Sequence, residues 1–173
     1  MRWTRPGDGD YDERRALFNA MIDKRPRMIA ACADASDVRA ALDRARADGL
    51  AVAVRSGGHA VAGQSSNDDG LVIDVRAMKS IDIDPVARTA RVGGGCTWGE
   101  FDAAAQVHGL ATTGGRVSTT GVSGLTLGGG SGWLERKHGL SCDNVTAVEL
   151  VTADGRELRA DDRQHAELLW ACK

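Results

Sequence analysis

Residues 112–132 read TTGGRVSTTGVSGLTLGGGSG. The stretch holds eight glycines in 21 residues and no Asp, Glu, Pro or aromatic residue. By propensity it is not a helix, since each glycine gives up roughly 1 kcal/mol relative to alanine. Val117, Val122, Leu125 and Leu127 make it too apolar for a flexible linker. The reading left is buried irregular backbone that approaches something closely, which glycine permits because it lacks a Cβ and accepts positive φ. Consecutive N–H groups in such backbone form a nest that binds anions such as pyrophosphate.

A second glycine cluster stands upstream at residues 55–60, RSGGHA, directly after the apolar AVAV of residues 51–54. Four apolar residues bounded by turn signals read as a buried strand. Strand, glycine turn and histidine together can hold a phosphate and present a nucleophile. Neither cluster has the G-x-G-x-x-G or the G-x-x-x-x-G-K-[ST] spacing. Two such clusters imply one extended ligand gripped by two loops.

The length, 173 residues, is that of about one domain. A formal net charge of −2 argues against an electrostatic nucleic-acid or bilayer binder, and no apolar run is long enough for a membrane span. The opening MRWTRPGDGDYDERR has no apolar core, so the expected location is cytoplasmic. Cys32, Cys96, Cys142 and Cys172 are scattered without a C-x-x-C pair and read as free thiols. No cluster has metal-ligand spacing.

Along the chain, residues 1–9 read as disordered or as a docking arm. A helix follows over 11–22 with Leu17, Met21 and Ile22 on one face, stopped by Pro26. Residues 27–32 form a strand. Ser36 caps a helix through Asp48, with Val38, Ala41, Leu42 and Ala45 at helical spacing and Gly49 as its end. With 51–54 this gives a parallel βαβ unit. Strands over 71–75, 81–84 and 89–92 follow, the last two as a hairpin across Pro85. Thr97 and Glu100 form a capping box opening a helix, with Trp98, Phe101, Ala105 and His108 near one face. Residues 145–152 and 157–159 read as strands around the turn 153–155. Residues 162–173 read as a helix with Leu168, Leu169 and Trp170 near an apolar face, and the chain reads as cut there.

Taken singly, His59 has two readings, a solvated loop side chain or a ligand-facing one. The first is the commoner for a loop histidine, and the glycines beside His59 weaken that reading because they allow close backbone approach to a ligand. His108 and His138 sit near helix C-termini, and His165 reads as exposed on a helix. Asp68–Asp69 and Asp161–Asp162 read as turns. Ser118 and Ser123 lack a G-x-S-x-G elbow. Trp133 reads as core, with stacking on a planar ligand the alternative.

The segments RSGGHAVAG (55–63) and TTGVSGLTLGGGSGWLERKHGLSCDNV (119–145) resemble the FAD-linked oxidoreductases of the vanillyl-alcohol-oxidase superfamily, in particular the bacterial berberine-bridge-enzyme-like branch. The similarity runs from PGDGDYDERRALFNAMIDKRP to HAELLWACK without large gaps. It implies an α+β fold, a PCMH-type FAD-binding domain with a small parallel-strand subdomain followed by a mainly antiparallel one. Residues 1–25 would be an arm and helix, and 26–173 the N-terminal portion of that domain in a longer enzyme whose substrate domain lies beyond.

The resemblance also implies FAD as cofactor, bonded through its 8α-methyl carbon to His59. Contacts would come from Arg55, Ser56, Gly57, Gly58, His59, Ala60 and Gly63 in the first loop. The second run would contribute Val117, Thr120, Gly121, Gly124, Thr126, Leu127, Gly128, Gly129, Gly130 and Trp133, followed by Asn144 and Val151. Gly128, Gly129 and Gly130 are expected to lie against the cofactor, where a Cβ would intrude. Doubly linked members carry a cysteine where this chain has Val117, so one bond is expected, with Cys96 and Cys142 unable to compensate. The implied activity is hydride removal from an alcohol-like or similar small-molecule substrate, with the flavin carrying the redox chemistry. No catalytic acid or base falls within the chain. A stand-alone nucleotide-binding module and an inactive fragment are the alternative readings.

Overall fold

The computed structural model describes residues 1–173. The chain forms two units, Met1–Met78 with Val151–Arg156, and Lys79–Leu150 with Glu157–Lys173.

The first unit contains β1 (Arg2–Thr4), α1 (Tyr11–Arg15), β2 (Met28–Ala31), α2 (Ala35–Ala47), β3 (Val52–Arg55) and β4 (Leu71–Asp74). Its sheet has the order β1–β2–β4–β3. β2 and β3 both run parallel to β4, with Met28 and Val52 each opposite Leu71. β4 is the central strand and is buried throughout, as its apolar run Leu71-Val72-Ile73 requires. Leu71 and Ile73 pack with Met28, Ala30 and Cys32 against Ala41 and Ala45 of α2. Val72 packs with Ile29 and Ala53 on the other face. The two alanines keep the helix surface small where it meets the sheet.

Strand β3 departs from the buried strand expected at 51–54. Ala53 and Arg55 are buried, whereas Val52 and Val54 are 39% and 59% exposed. By register those valines share the face of Leu71 and Ile73, but β3 is the edge strand and the α2-centred core does not include them.

The N-terminus is also not the arm expected over 1–9. β1 pairs antiparallel with β2, Trp3 opposite Ala30, and Thr4 is buried. Residues 2–4 are therefore joined to the sheet. The helix expected over 11–22 ends at Arg15, and Ala16 is extended with ψ 133°. Leu17 is buried but Met21 is 90% exposed, so the expected apolar face does not form. Helix α2 is capped by Asp34 rather than Ser36. The Asp34 carboxylate accepts from Asp37 N at 3.0 Å and from Ser36 Oγ at 2.6 Å. Gly49, at φ +63°, follows the helix end.

The second unit begins with the hairpin of β5 (Ile81–Asp84) and β6 (Thr89–Val92), paired antiparallel as the alternation predicts. Helix α3 (Trp98–Gln106) follows. The Glu100 carboxylate accepts from Thr97 N at 2.7 Å and Thr97 Oγ1 at 3.0 Å, as expected of a capping box. Trp98, Phe101 and Ala105 form a core with Ile81, Ile83 and Val92 against them. His108 is exposed beyond the helix end, off the apolar face where it was expected.

The glycine run does contain a helix, α4 (Val122–Thr126), contrary to its propensity. Only Gly124 falls inside it. The turn is held from outside: Val122 N donates to Cys96 O at 2.9 Å and Ser123 Oγ to Gly94 O at 2.8 Å. Then come α5 (Glu135–His138), β7 (Ala147–Val151), β8 (Glu157–Asp161) and α6 (Ala166–Ala171), with β7 and β8 paired. The last helix starts later than expected because the Asp161 carboxylate accepts from Arg163 N and Gln164 N, making a turn. His165 caps it at φ +54° instead of lying within it. Leu169 is buried, but Trp170 is 79% exposed and does not join the expected apolar face. No helix is long and apolar enough to cross a membrane.

Ile73 is fully enclosed, so Ile73→Ala is expected to cost about 2–5 kcal/mol. Val86→Ala, at a side chain 93% exposed, is expected to change stability by less than about 0.5 kcal/mol. Urea unfolding of both variants checks the difference.

Candidate cofactor site

The first loop starts where β3 ends. Arg55 is the last residue of that strand and is only 6% exposed. Its guanidinium donates to Arg14 O and, at 2.6 Å, to Ala16 O. Burial, with the neighbouring Arg76 charge adding to it, lowers its pKa to about 10, so it stays protonated at neutral pH. Gly58 sits directly on this group at φ +73°, and a Cβ there would stand 3.2 Å from Arg55 Nε. Only glycine meets both demands. Arg55 thus holds the loop from within rather than presenting its charge outward. Its Nε is buried without a hydrogen-bond partner.

Ser56, Gly57, His59 and Ala60 are half-buried, so the loop reaches the surface at these residues. Phe18 stacks on the His59 imidazole, with ring centroids 4.0 Å apart and planes 15° from parallel. Phe18 N donates to Gly58 O at 3.3 Å. Gly63 closes the loop: Lys24 Nζ donates to its carbonyl at 2.9 Å, and a Cβ on it would enter Ile22.

In the second unit the glycines divide into two sets. A Cβ on Gly114 or Gly115 would run into the Trp98 ring, and one on Gly132 into the Gly114 carbonyl. At Gly130, φ is +81° and a Cβ would stand 2.5 Å from Ser141 Cβ. Ser141 Oγ bonds Thr113 O and Gly130 O, locking these segments together. Gly130 is therefore required by the protein's own packing. A Cβ on Gly129 would meet Leu140 at an ordinary 3.7 Å, while one on Gly124 would meet nothing within 4 Å. Gly128 has only carbonyls of its own turn near, at 3.6 Å and 3.7 Å. No packing need accounts for Gly124 and Gly128.

The remaining expected residues fall as follows. Thr120 O accepts from Trp98 N, and Gly121 bridges to Thr97. Thr126 Oγ1 donates to Val122 O within its own turn. Val117 and Leu127 are 47% and 58% exposed. The Asn144 amide donates to His138 O and Leu140 O, fixing the loop after α5. Val151 ends β7 and is half-buried. Trp133 is not core: it is 79% exposed, lies in an open hollow with Leu110 and Leu134, and carries the Arg116 guanidinium over its ring at 5.1 Å. A large exposed aromatic bearing a cation is suited to stacking.

The four cysteines are free thiols, and Cys32, Cys96 and Cys142 are buried. Burial pushes the Cys32 thiol up to about 12 and raises that of Cys96, which makes both poor nucleophiles. Phe18 was missed by sequence reasoning. It is one of only two phenylalanines, and a helix over 11–22 would have put it beside Met21 and Ile22, whereas the chain leaves the helix at Arg15 and brings it to His59.

Solved proteins with the same chain path include oxidases. The crystal structure of 6-hydroxy-D-nicotine oxidase from Arthrobacter nicotinovorans superposes with a TM-score of 0.97 at 38% identity, over 99% of this chain and 38% of that one. BBE-like 1 of Physcomitrella patens superposes with a TM-score of 0.94 at 30% identity, over 99% of this chain and 38% of its own. The parallel sheet with its glycine loop, followed by the antiparallel pairs, is the α+β PCMH-type fold of FAD-binding domains.

In sequence, (R)-6-hydroxynicotine oxidase of Paenarthrobacter nicotinovorans is 39% identical over 168 residues, which is 97% of this chain and 37% of that protein. The FAD-linked oxidoreductase YgaK of Bacillus subtilis (strain 168) is 33% identical over 95% of the chain and 37% of its own length. The FAD binding domain family matches residues 26–161, and the chain belongs to that family, whose berberine-bridge-enzyme-like branch it resembles. It spans little more than a third of the length of these relatives.

The two glycine sets should separate experimentally. Gly130→Ala is expected to destabilise by at least about 1–2 kcal/mol through its left-handed backbone. Gly124→Ala lies inside a helix and is expected to leave stability unchanged or raise it by up to about 1 kcal/mol, yet to lose FAD. Thermal midpoints and bound-flavin content, measured on both variants, check this.

Proposed function

We propose that this chain is the FAD-binding part of a flavin-dependent oxidoreductase that takes hydride from an alcohol-like or similar small-molecule substrate, with FAD joined to the protein through His59 alone. The observation that carries the reading is the loop after β3, where a buried guanidinium and Gly58 present a half-buried histidine at a fixed point. The 39% identity to an oxidase of the same fold supports the reaction class.

The residues fit the cofactor. Backbone N–H groups of Ser56–Gly58 suit an anion such as a pyrophosphate, and so, taken separately, do those of the run around Gly121–Gly129. Gly124 and Gly128 leave smooth surface for a flat or extended group. Trp133 and Arg116 offer a stacking face. Bound FAD would accept the hydride, and the protein's part is to bind, orient and shield it. Val117 offers no nucleophilic atom, and the buried thiols of Cys96 and Cys142 offer none in its place, which supports a single linkage.

The complete protein carrying this sequence is expected to keep its yellow flavin on the polypeptide after acid denaturation. His59→Ala is expected to release all of it while binding some FAD without a bond. Full release from the wild type overturns the linkage. Residues 1–173 expressed alone are expected to bind FAD weakly, and stoichiometric tight binding by them would favour a stand-alone module.

A further inference from the structure

We propose that Phe18 is a positioning residue for cofactor attachment, its ring holding the His59 imidazole in the plane from which the histidine bonds to the flavin. The inference rests on the linkage proposed above.

Phe18 is two-thirds exposed, so it is not a core residue, yet its placement is fixed from both sides. Upstream, the carbonyls of Arg14 and Ala16 are held by the Arg55 guanidinium. Leu17 is buried, with Cδ2 3.6 Å from where a Gly58 Cβ would stand. At Phe18 itself, the backbone N–H donates to Gly58 O. The segment that should have been helix is thus pulled straight along the histidine loop, and the outcome is a ring laid flat on His59 at 4.0 Å and 15°.

The orientation matters because both imidazole nitrogens lie at the ring edge, and the in-plane lone pair of the unprotonated one points outward along that edge. A flat partner covers one face and leaves the edge clear of Phe18. It also resists rotation of the imidazole about its bond to Cβ, a torsion that is otherwise broad. In attachment, the unprotonated nitrogen of His59 would form the bond with its lone pair, the imidazole would give up its N–H proton, and the 8α-carbon of FAD would lose one hydrogen. The new bond is N–C, and the N–H and one C–H bond break. The two electrons and two protons released are taken by dioxygen, giving hydrogen peroxide. What Phe18 contributes is the fraction of time the nitrogen points at that carbon.

The test uses the complete protein, prepared without flavin and then mixed with FAD. Covalent flavin is followed over time by in-gel fluorescence after denaturation, total flavin by filtration, and folding by the thermal midpoint. Phe18→Ala and Phe18→Leu are expected to slow covalent attachment about 3- to 10-fold, the span of a lost ring stack, with total FAD and midpoint unchanged. Phe18→Tyr is expected to attach at the wild-type rate. Leucine keeps apolar cover without a flat ring, so a slow Phe18→Leu with a normal midpoint separates orientation from packing. Wild-type or faster attachment in the alanine and leucine variants overturns the inference, as does equal loss of unattached FAD. Absence of covalent flavin in the wild type, matching His59→Ala, instead overturns the linkage and the inference with it.

Discussion

The first unit depends on one buried cation. Arg55 closes β3, lies opposite Asp74 in the register of β4, and sends its guanidinium to the carbonyls of Arg14 and Ala16 at the end of α1. Hydrogen bonds from a charged donor are worth about 1.5–3 kcal/mol, and leaving their buried partners unmet costs comparably. Asp74, itself 3% exposed, balances the local charge and is held by Arg76 at 2.6 Å. The pair limits the repulsion that two nearby arginines would otherwise bring. Because the guanidinium sits under Gly58, the same group shapes the cofactor loop and stops a helix.

The second unit reaches its site by a different route. Trp98 anchors α3 and also forms the surface on which Gly114 and Gly115 lie. Ser141 ties the far end of the run back to Thr113. Glycine is therefore used for two purposes in one stretch. Some positions let backbone pack on an aromatic ring or on another strand of backbone. Others, Gly124 and Gly128, leave an outer surface bare. Composition shows the enrichment but does not separate the purposes, since that depends on what each missing Cβ would meet.

Elements fixed by their own periodicity were legible in the sequence: β4, α2, the hairpin of β5 and β6, and the capped start of α3. Elements fixed by distant partners were not. β1 is three residues with no pattern to read, and exists because β2 has an edge for it. The early end of α1 depends on Arg55, some forty residues away. The turn of α4 overrides glycine propensity through bonds to Cys96 and Gly94. At the site, both glycine clusters and His59 stood out by type and spacing, whereas the exposure of Trp133 and the nearness of Phe18 are tertiary facts.

The strand order carries a consequence for synthesis. β2 and β3 are not paired with each other; their parallel partner is β4, the last of the four strands in the chain and an inner strand of the sheet. Until Leu71–Asp74 leave the ribosome, two parallel strands wait with nothing between them, and parallel pairing is slow to form. The histidine loop belongs to the crossover joining β3 to β4, so its ends become fixed only when that last strand inserts. A nascent chain stalled before residue 74 would expose both unpaired edges and call for a chaperone. Cofactor loading has to be a late event in the life of the polypeptide.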